Sequence, residues 1–399
     1  MSGAERTLTC FAVKPFDHAR ILAAFMLGGS SLVFGYSAPG HRFVGALAED
    51  ILKIESRSPD QAEARRARET LERARSLLHG LTFAQASVIP DEIKAWDPNG
   101  KFSADPGALV EEKHWPRALA ADLRRYFKAN SDPASGRNHD NYHYVDIPVT
   151  PWARGTYAPG AVGTERYDIV TTLHACEEIL RGGGRGGDGR VIPEDVALVL
   201  MIHLVGDLHQ PLHVGAEYFD ARGEPVIPTK ADLESGRVKS DIGGNSLEVS
   251  SSLTPPYDGR PGNLHYVWDG EIPKRAFEAW QASLGSDTDR PEGLAGLLAN
   301  RAAPSGYKPA GYDPSDLMPV WEAWANEILP VAEQAHAPFV TPVHPLEAKS
   351  PKIFSGELEL KDRREDYDRV EAPVVQAELL KAGWRLAWVM KTVLAPAAN

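Results

Sequence analysis

The chain has 399 residues, with 43 Lys plus Arg against 55 Asp plus Glu and a formal net charge of -12. Hydrophobic residues make up 43% and charged residues 25%, a globular balance that excludes a disordered tail protein, a collagen-like repeat and a disulfide-stapled miniprotein. The acidic excess argues against a basic groove that holds nucleic acid by neutralising phosphates, so any affinity for polyanions must come from something other than the side-chain total.

In chain order, residues 1–35 read as an export signal. Lys14, His18 and Arg20 precede an apolar run from Ile21 to Phe34 that is too short for a membrane span, and a cut ahead of Tyr36 leaves 36–399 as the mature chain. The alternative is an ordinary buried N-terminal helix. The only cysteines are Cys10 and Cys176; export would leave Cys176 as a lone thiol, and neither a disulfide framework nor a cysteine zinc site is available.

His41 to Arg57 carries apolar residues at helical spacing (Val44, Leu47, Ile51, Leu52 and Ile54). Asp60 to His79 is a charged amphipathic helix that stops at Gly80. Further helices are expected over 115–128, over 165–180 ahead of Gly182-Gly183-Gly184, over 193–209 behind Pro193, over 321–335 and over 377–394. Strand-type alternation is scarce, so the expected fold class is all-α: a single multi-helix domain, helices packed on helices. Long stretches rich in Gly, Pro, Asp and Ser at 216–244 and 286–318 are read as loops, either functional insertions or mobile surface.

The stretch HLVGDLHQPLHVG, His203 to Gly215, carries the chemistry. His203 and Asp207 stand at i and i+4, on one helical face, so both can reach one cation. Pro211 then breaks the helix and lets His213 turn towards a neighbouring position. His265 and Asp269 in GNLHYVWDG repeat the i, i+4 pair, Asp91 and His143 form a looser group, and His41 stands alone in APGH. A single His–Asp pair on a helix is more often a hydrogen-bonded core pair than a metal site. Two such pairs beside a proline-bent HQPLH are hard to explain as packing. Imidazole with carboxylate suits zinc, and the absence of thiolates points to catalysis over a closed structural site.

These motifs, with GGN at Gly243 to Asn245, resemble the S1/P1 nuclease family, which shares an all-α fold with zinc-dependent phospholipase C. The resemblance extends to YSAPGH, SVIPDEIK, YHYVD and the closing AELLKAGWRLAWV, and so covers Tyr36 to Leu394. It implies three zinc ions: Asp91, His143, His203 and Asp207 on the first; Asp207 shared with a second that also takes His41 and the amino and carbonyl groups of Tyr36; and His213, His265 and Asp269 on the third. It implies that Asp91 and Asp207 serve catalysis, and that Tyr144 stacks on a base while Asp146 contacts its edge. Lys94 matches a cationic position that would stabilise the transition state, and the alternative for it is a solvated helix lysine. His209 matches no ligand and is expected to play a structural or supporting part. The long interval between Asp91 and His143 implies an inserted loop around 97–140.

The resemblance implies an exported enzyme, periplasmic or secreted, that cleaves the P–O3′ bond of single-stranded DNA and RNA to leave 5′-phosphates. It also implies 3′-nucleotidase activity, no stable membrane association and no protein partner. Three divalent ions bring about +6 of charge against about -3 from their aspartates, which would make the site cationic inside an acidic protein. A phospholipase C on the same metal framework and a non-enzymatic zinc-storage protein are the competing readings. Asp269, where phospholipases typically present Glu, and the YVD that follows His143 favour the nuclease.

Overall fold

The computed structural model describes residues 36–94, 96, 115–131, 139–183, 188–249, 262–286, 288, 290–337, 339–340, 359–360 and 367–395. The expected leader, 1–35, and much of the expected insertion at 97–140 lie outside the described residues. Local signals set the first elements. α1, Ala38–Glu55, opens with a proline in its first turn and buries Phe43, Val44, Leu47, Ile51 and Leu52 along one face. α2, Gln61–Leu77, is capped by the Asp60 carboxylate, which accepts from the N–H groups of Ala62 and Glu63, and the chain turns away at Gly80 with φ of 89°. α3, Phe83–Ala86, starts from a Thr82/Gln85 capping box. α4, Ile89–Lys94, and α5, Arg117–Asn130, follow.

A small sheet then interrupts the helices. β1, Ile147–Thr150, turns back antiparallel as β2, Ala153–Arg154, and pairs in parallel with the later β3, Gly215–Phe219, in register Ile147 to Gly215. Between them come α6, Ile169–Glu178, capped by Asp168 on Thr171 N–H, and α7, Glu194–Asp207. After β3, α8, Lys230–Glu234, and β4, Lys239–Ser240, complete the strand order β2-β1-β3-β4. A single turn, Leu264–Tyr266, widens into the π-helical turn Val267–Glu271 and continues as α9, Ile272–Leu284. α10, Pro291–Leu298, α11, Met318–His336, the paired β5, Phe339–Val340, and β6, Glu359–Leu360, and α12, Tyr367–Leu394, close the order.

The result is an all-α domain of the phospholipase C/P1 nuclease type, organised around α7. Every residue of α7 from Asp195 to Asp207 is buried. A helix apolar on all sides belongs at the centre of a domain, and α1, α2, α3, α4, α5, α6 and α12 pack around it. α1 also packs on α10 and α12, where Gly383 allows a close approach: a Cβ there would lie 2.5 Å from Leu47 Cδ2.

Three expectations change. Residues 216–244 are not a structureless loop, because they hold most of β3, all of α8 and β4; β3 is buried at all five positions and so shows no alternation to read. Residues 286–318 include α10, a short helix seated on Leu294, Ala295 and Leu298. The closing helix begins ten residues before 377, at Tyr367, and passes through Pro373. Buried Tyr367, Glu371, Ala372 and Val375 hold those first turns despite the lost hydrogen bond.

Candidate metal centre

Six segments deliver the expected ligands to one place. α7 presents His203 and Asp207 one turn apart, α1 presents His41 from its first turn, and α4 presents Asp91. His143 ends the 3-10 turn Asn141–His143, and His213 ends another, Pro211–His213, where Pro211 halts the run of α7. The β1–β3 pairing ties these two turns together, since Val145 N–H donates to the His213 carbonyl at 2.9 Å and His213 Nδ1–H to the His143 carbonyl at 2.9 Å. Asn263 caps the turn that carries His265, and the π-helical widening after it sets Asp269 beneath that ring. Such widenings are frequent at functional sites.

The side chains form three contiguous groups, His41/Asp91/His203, His143/His203/Asp207 and His213/His265/Asp269, with candidate ligand atoms within 4.8 Å of one another in each. In the second, His143 Nδ1, His203 Nε2 and Asp207 Oδ2 make a triangle with 2.9 Å sides. Asp91 Oδ1 stands 3.5 Å from His203 Nε2 and 3.7 Å from His143 Nδ1. The other oxygen of Asp207, Oδ1, lies 3.2 Å from His41 Nε2 and 3.8 Å from the ring of His213. One carboxylate therefore faces two groups, an oxygen to each. In the third group His265 Nε2 is 3.2 Å from Asp269 Oδ2 and His213 Nε2 is 3.9 Å from Asp269 Oδ1.

Whether a cation fits is decided by the ring tautomers. Carbonyl oxygens only accept, so each ring nitrogen facing one carries the proton. Nδ1 of His203 lies 2.6 Å from the Ser87 carbonyl, Nδ1 of His213 faces the carbonyl of His143, and Nδ1 of His265 lies 2.7 Å from the Gly243 carbonyl. All three rings, when neutral, turn an Nε2 lone pair inward, an arrangement found around metal-ligating histidines. His41 Nδ1 and Nε2, His213 Nε2, Asp207 Oδ1 and Asp269 Oδ2 are buried and make no hydrogen bond. Buried polar atoms left this way are costly, and lone pair facing lone pair across these gaps is resolved by a divalent cation, whose N/O ligand set this is.

Electrostatics agree. Burial alone would raise the Asp207 carboxyl, but His203, His213 and His41 hold it well below the usual carboxylate range. At Asp91 burial is likewise outweighed, here by Lys94 and then by His203, His143 and His41. Burial pushes His143 down to about 3, with Lys94 adding to it. His203 rises despite its burial, through Asp207 and Asp91, and His265 through Asp269. The carboxylates thus favour the charged form of His203 and His265, while burial keeps His143 and His213 towards the neutral form.

The S1/P1 Nuclease family matches residues 36–395 of the chain. The chain belongs to this family. Nuclease S1 of Aspergillus oryzae is 27% identical over 202 residues, covering 48% of this chain and 52% of that protein. Endonuclease 2 of Arabidopsis thaliana is 23% identical over 197 residues, covering 49% and 51%. The chain thus spans about half the length of the curated relatives it matches.

Within this S1/P1 framework the remaining expected residues take distinct places. Lys94 is buried, with Nζ 2.9 Å from Asp91 Oδ1, which excludes the solvated-lysine alternative. Tyr144 is half-buried, its hydroxyl donating to Asn141 Oδ1 at 3.1 Å. Burial, reinforced by Asp241 and Glu165, pushes the Asp146 carboxyl up to about 7, while His265 opposes the rise and so places Asp146 within electrostatic reach of the third group. Tyr36 is fully buried; its hydroxyl donates to the His209 carbonyl at 2.8 Å, and the next residue's N–H, Ser37, donates to the Asp269 carbonyl at 2.9 Å. His209 is a joint between elements: Nδ1–H donates to the Val205 carbonyl at 2.7 Å and Nε2 accepts from Arg385 of α12 at 2.9 Å.

Two supporting residues were not singled out from the sequence. Gln210 Nε2 donates to Asp269 Oδ1 at 2.6 Å, turning the other oxygen towards His265; its place between His209 and Pro211 in HQPLH was the available signal. Gly206 lies under the His41 ring, where a Cβ would come 3.0 Å from Nδ1, while His203 stacks on the ring at 3.9 Å.

Proposed function

We propose that this S1/P1 nuclease is an exported, trinuclear zinc enzyme that hydrolyses phosphodiesters of single-stranded DNA and RNA by P–O3′ cleavage, with 3′-nucleotidase activity. The observation that carries the reading is buried Asp207, whose Oδ2 faces His143 and His203 while its Oδ1, without a hydrogen bond, faces His41. Asp91, His143, His203 and Asp207 would hold one ion; Asp207, His41 and the backbone of Tyr36 a second; His213, His265 and Asp269 the third. When bound, divalent ions supply an electrophile for phosphoryl oxygens and acidify water to a pKa of roughly 7.

The protein's own groups have separate tasks. Asp207 would fix the spacing of the first two positions, and Lys94, held on Asp91, would add positive charge where the phosphoryl oxygens gather negative charge as phosphorus becomes pentacoordinate. Tyr144 stacks a base and Asp146 meets its edge. Stacking is worth roughly 1–3 kcal/mol per base, tolerates any sequence and requires an unpaired base, which accounts for a single-strand preference.

Export rests on the leader at 1–35 and on residue 36. The family match begins there, and Tyr36 sits buried against His209 and beside Asp269, so a cut before it would place a free amino group at the cluster. No described helix is long and apolar enough to cross a membrane.

Incubation of zinc-loaded protein with denatured DNA, RNA, duplex DNA and phosphatidylcholine tests the reading. Single strands should be degraded to 5′-phosphate products well ahead of duplex, with phosphatidylcholine untouched; release of phosphocholine in preference would replace the nuclease reading with the phospholipase one. Asp207→Asn should abolish activity and lower bound zinc together, and a fully active Asp207→Asn enzyme would refute the assignment.

A further inference from the structure

Strained backbone lies directly beside the third group. Ile242, Gly243 and Gly244 take consecutive positive φ values of 58°, 56° and 79°. A β-branched residue such as Ile242 rarely adopts this conformation, which persists only when the surroundings over-determine it. Gly243 admits no side chain, since a Cβ would meet the Leu212 carbonyl oxygen at 2.1 Å. The conformation aims the Gly243 carbonyl at the His265 ring, 2.7 Å from Nδ1, while the Gly244 carbonyl accepts from the His265 backbone N–H at 3.4 Å.

The turn is held from its foot. Asp241 is fully buried; its N–H donates to the Glu217 carbonyl at 2.9 Å and its Oδ1 accepts from Glu217 N–H at 3.1 Å, which locks it to β3. Its Oδ2 lies 2.8 Å from His336 Nε2 in the last turn of α11. His336 Nδ1 lies 2.8 Å from the Ala332 carbonyl, so both ring nitrogens face acceptors and the ring is doubly protonated. Burial opposes that charge, but Asp241 and Glu217 push the ring up to about 9. The same turn of α11 reaches the other side of the group: the Ala335 carbonyl accepts from Tyr367 OH, which accepts from Nε1 of Trp268, the neighbour of Asp269.

We propose that Asp241 and His336 are a positioning pair that holds the left-handed turn Ile242–Gly244 and thereby, through the Gly243 carbonyl, fixes His265 in the tautomer that offers Nε2 to a divalent cation. The inference rests on the reading of His213, His265 and Asp269 as a metal site. Neither member of the pair belongs to that group; each acts through the short backbone from Asp241 to Gly243, whose carbonyl faces His265 Nδ1.

Zinc per chain and zinc affinity in chelator competition, measured on the reconstituted protein, test it against metal-free thermal unfolding. His265→Ala should lose one zinc relative to the parent. His336→Leu should weaken that same ion roughly 10- to 100-fold, the usual effect of removing an outer partner of a ligand, and leave the others in place. His336→Gln, whose amide N–H reaches where Nε2–H stood, should recover most of the lost affinity. A His336→Leu protein with parental zinc affinity and only a lower melting temperature makes the pair an ordinary structural ion pair and overturns the proposal. If that variant does not fold, Asp241→Asn decides: weaker binding of one ion supports the pair, and unchanged binding overturns it. A His265→Ala protein that keeps every zinc instead removes the metal site itself, and the positioning role with it.

Discussion

A proton on the wrong ring nitrogen would close this site, and the backbone prevents it. Ser87, His143 and Gly243 each offer a carbonyl to one imidazole, and the lone pairs on the other side converge. His41 lacks such a partner and depends on packing between Gly206 and the ring of His203. Gly206→Ala should displace that ring by a few tenths of an ångström and lower nuclease activity about tenfold or more, since small misplacements near a reacting centre are amplified, with the fold retained; circular dichroism and initial rates check this together. Asp146 makes a second residue-scale prediction. With its carboxyl pushed up to about 7, it is neutral below that pH and charged above it. An unfolded aspartate titrates near ~3.9, so the folded protein holds the extra proton between about 4 and 7, and this group's contribution to stability falls as pH rises through that window. KM for a single strand should vary across pH 6–8 in the parent and flatten in Asp146→Asn; parallel profiles would remove Asp146 from substrate contact. At this scale the sequence was most legible. His203–Asp207 and His265–Asp269 declare themselves by spacing, whereas Gln210, Asp241 and His336 act through partners 59, 24 and 95 positions away and leave no local pattern.

Elements were legible where their own caps and periodicity decide them, and illegible where tertiary contacts do. Asp60 and Gly80 bracket α2 as expected. α6 was expected from 165 but starts at Ile169, because the Asp168 carboxylate takes the Thr171 N–H and ends the preceding loop. α9 was not expected at all, although Ile272, Ala276 and Trp280 keep helical spacing. The packing of α1 on α12 gives the test at this scale. Replacing Gly383 by Ala gains about 1 kcal/mol in helix propensity, yet its Cβ would sit 2.5 Å from Leu47 Cδ2 and 2.8 Å from Cγ, an overpacking worth about 1–3 kcal/mol. Because Leu47 is fully buried and has nowhere to retreat, packing should win. Denaturant unfolding of Gly383→Ala should show net destabilisation; a more stable variant would mean that α1 and α12 meet less tightly than described.

For the whole molecule the question is how a chain of net charge -12 would engage the polyanion that the proposed function requires. On the proposed reading the ligand groups would concentrate divalent charge in one place, where three ions and their aspartates would leave about +3 locally within a chain of acidic net charge. The expected ligands come from α1, α4, α7 and three turns; a shared cation would give such scattered imidazoles and carboxylates a common purpose. The most direct measurement is metal content per chain, by mass spectrometry, on protein that begins at Tyr36 and on protein extended ahead of it. Three zinc ions on the first and two on the second are expected, with activity falling alongside the missing ion. A correctly processed chain that degrades single strands at full rate with no bound metal would contradict the account.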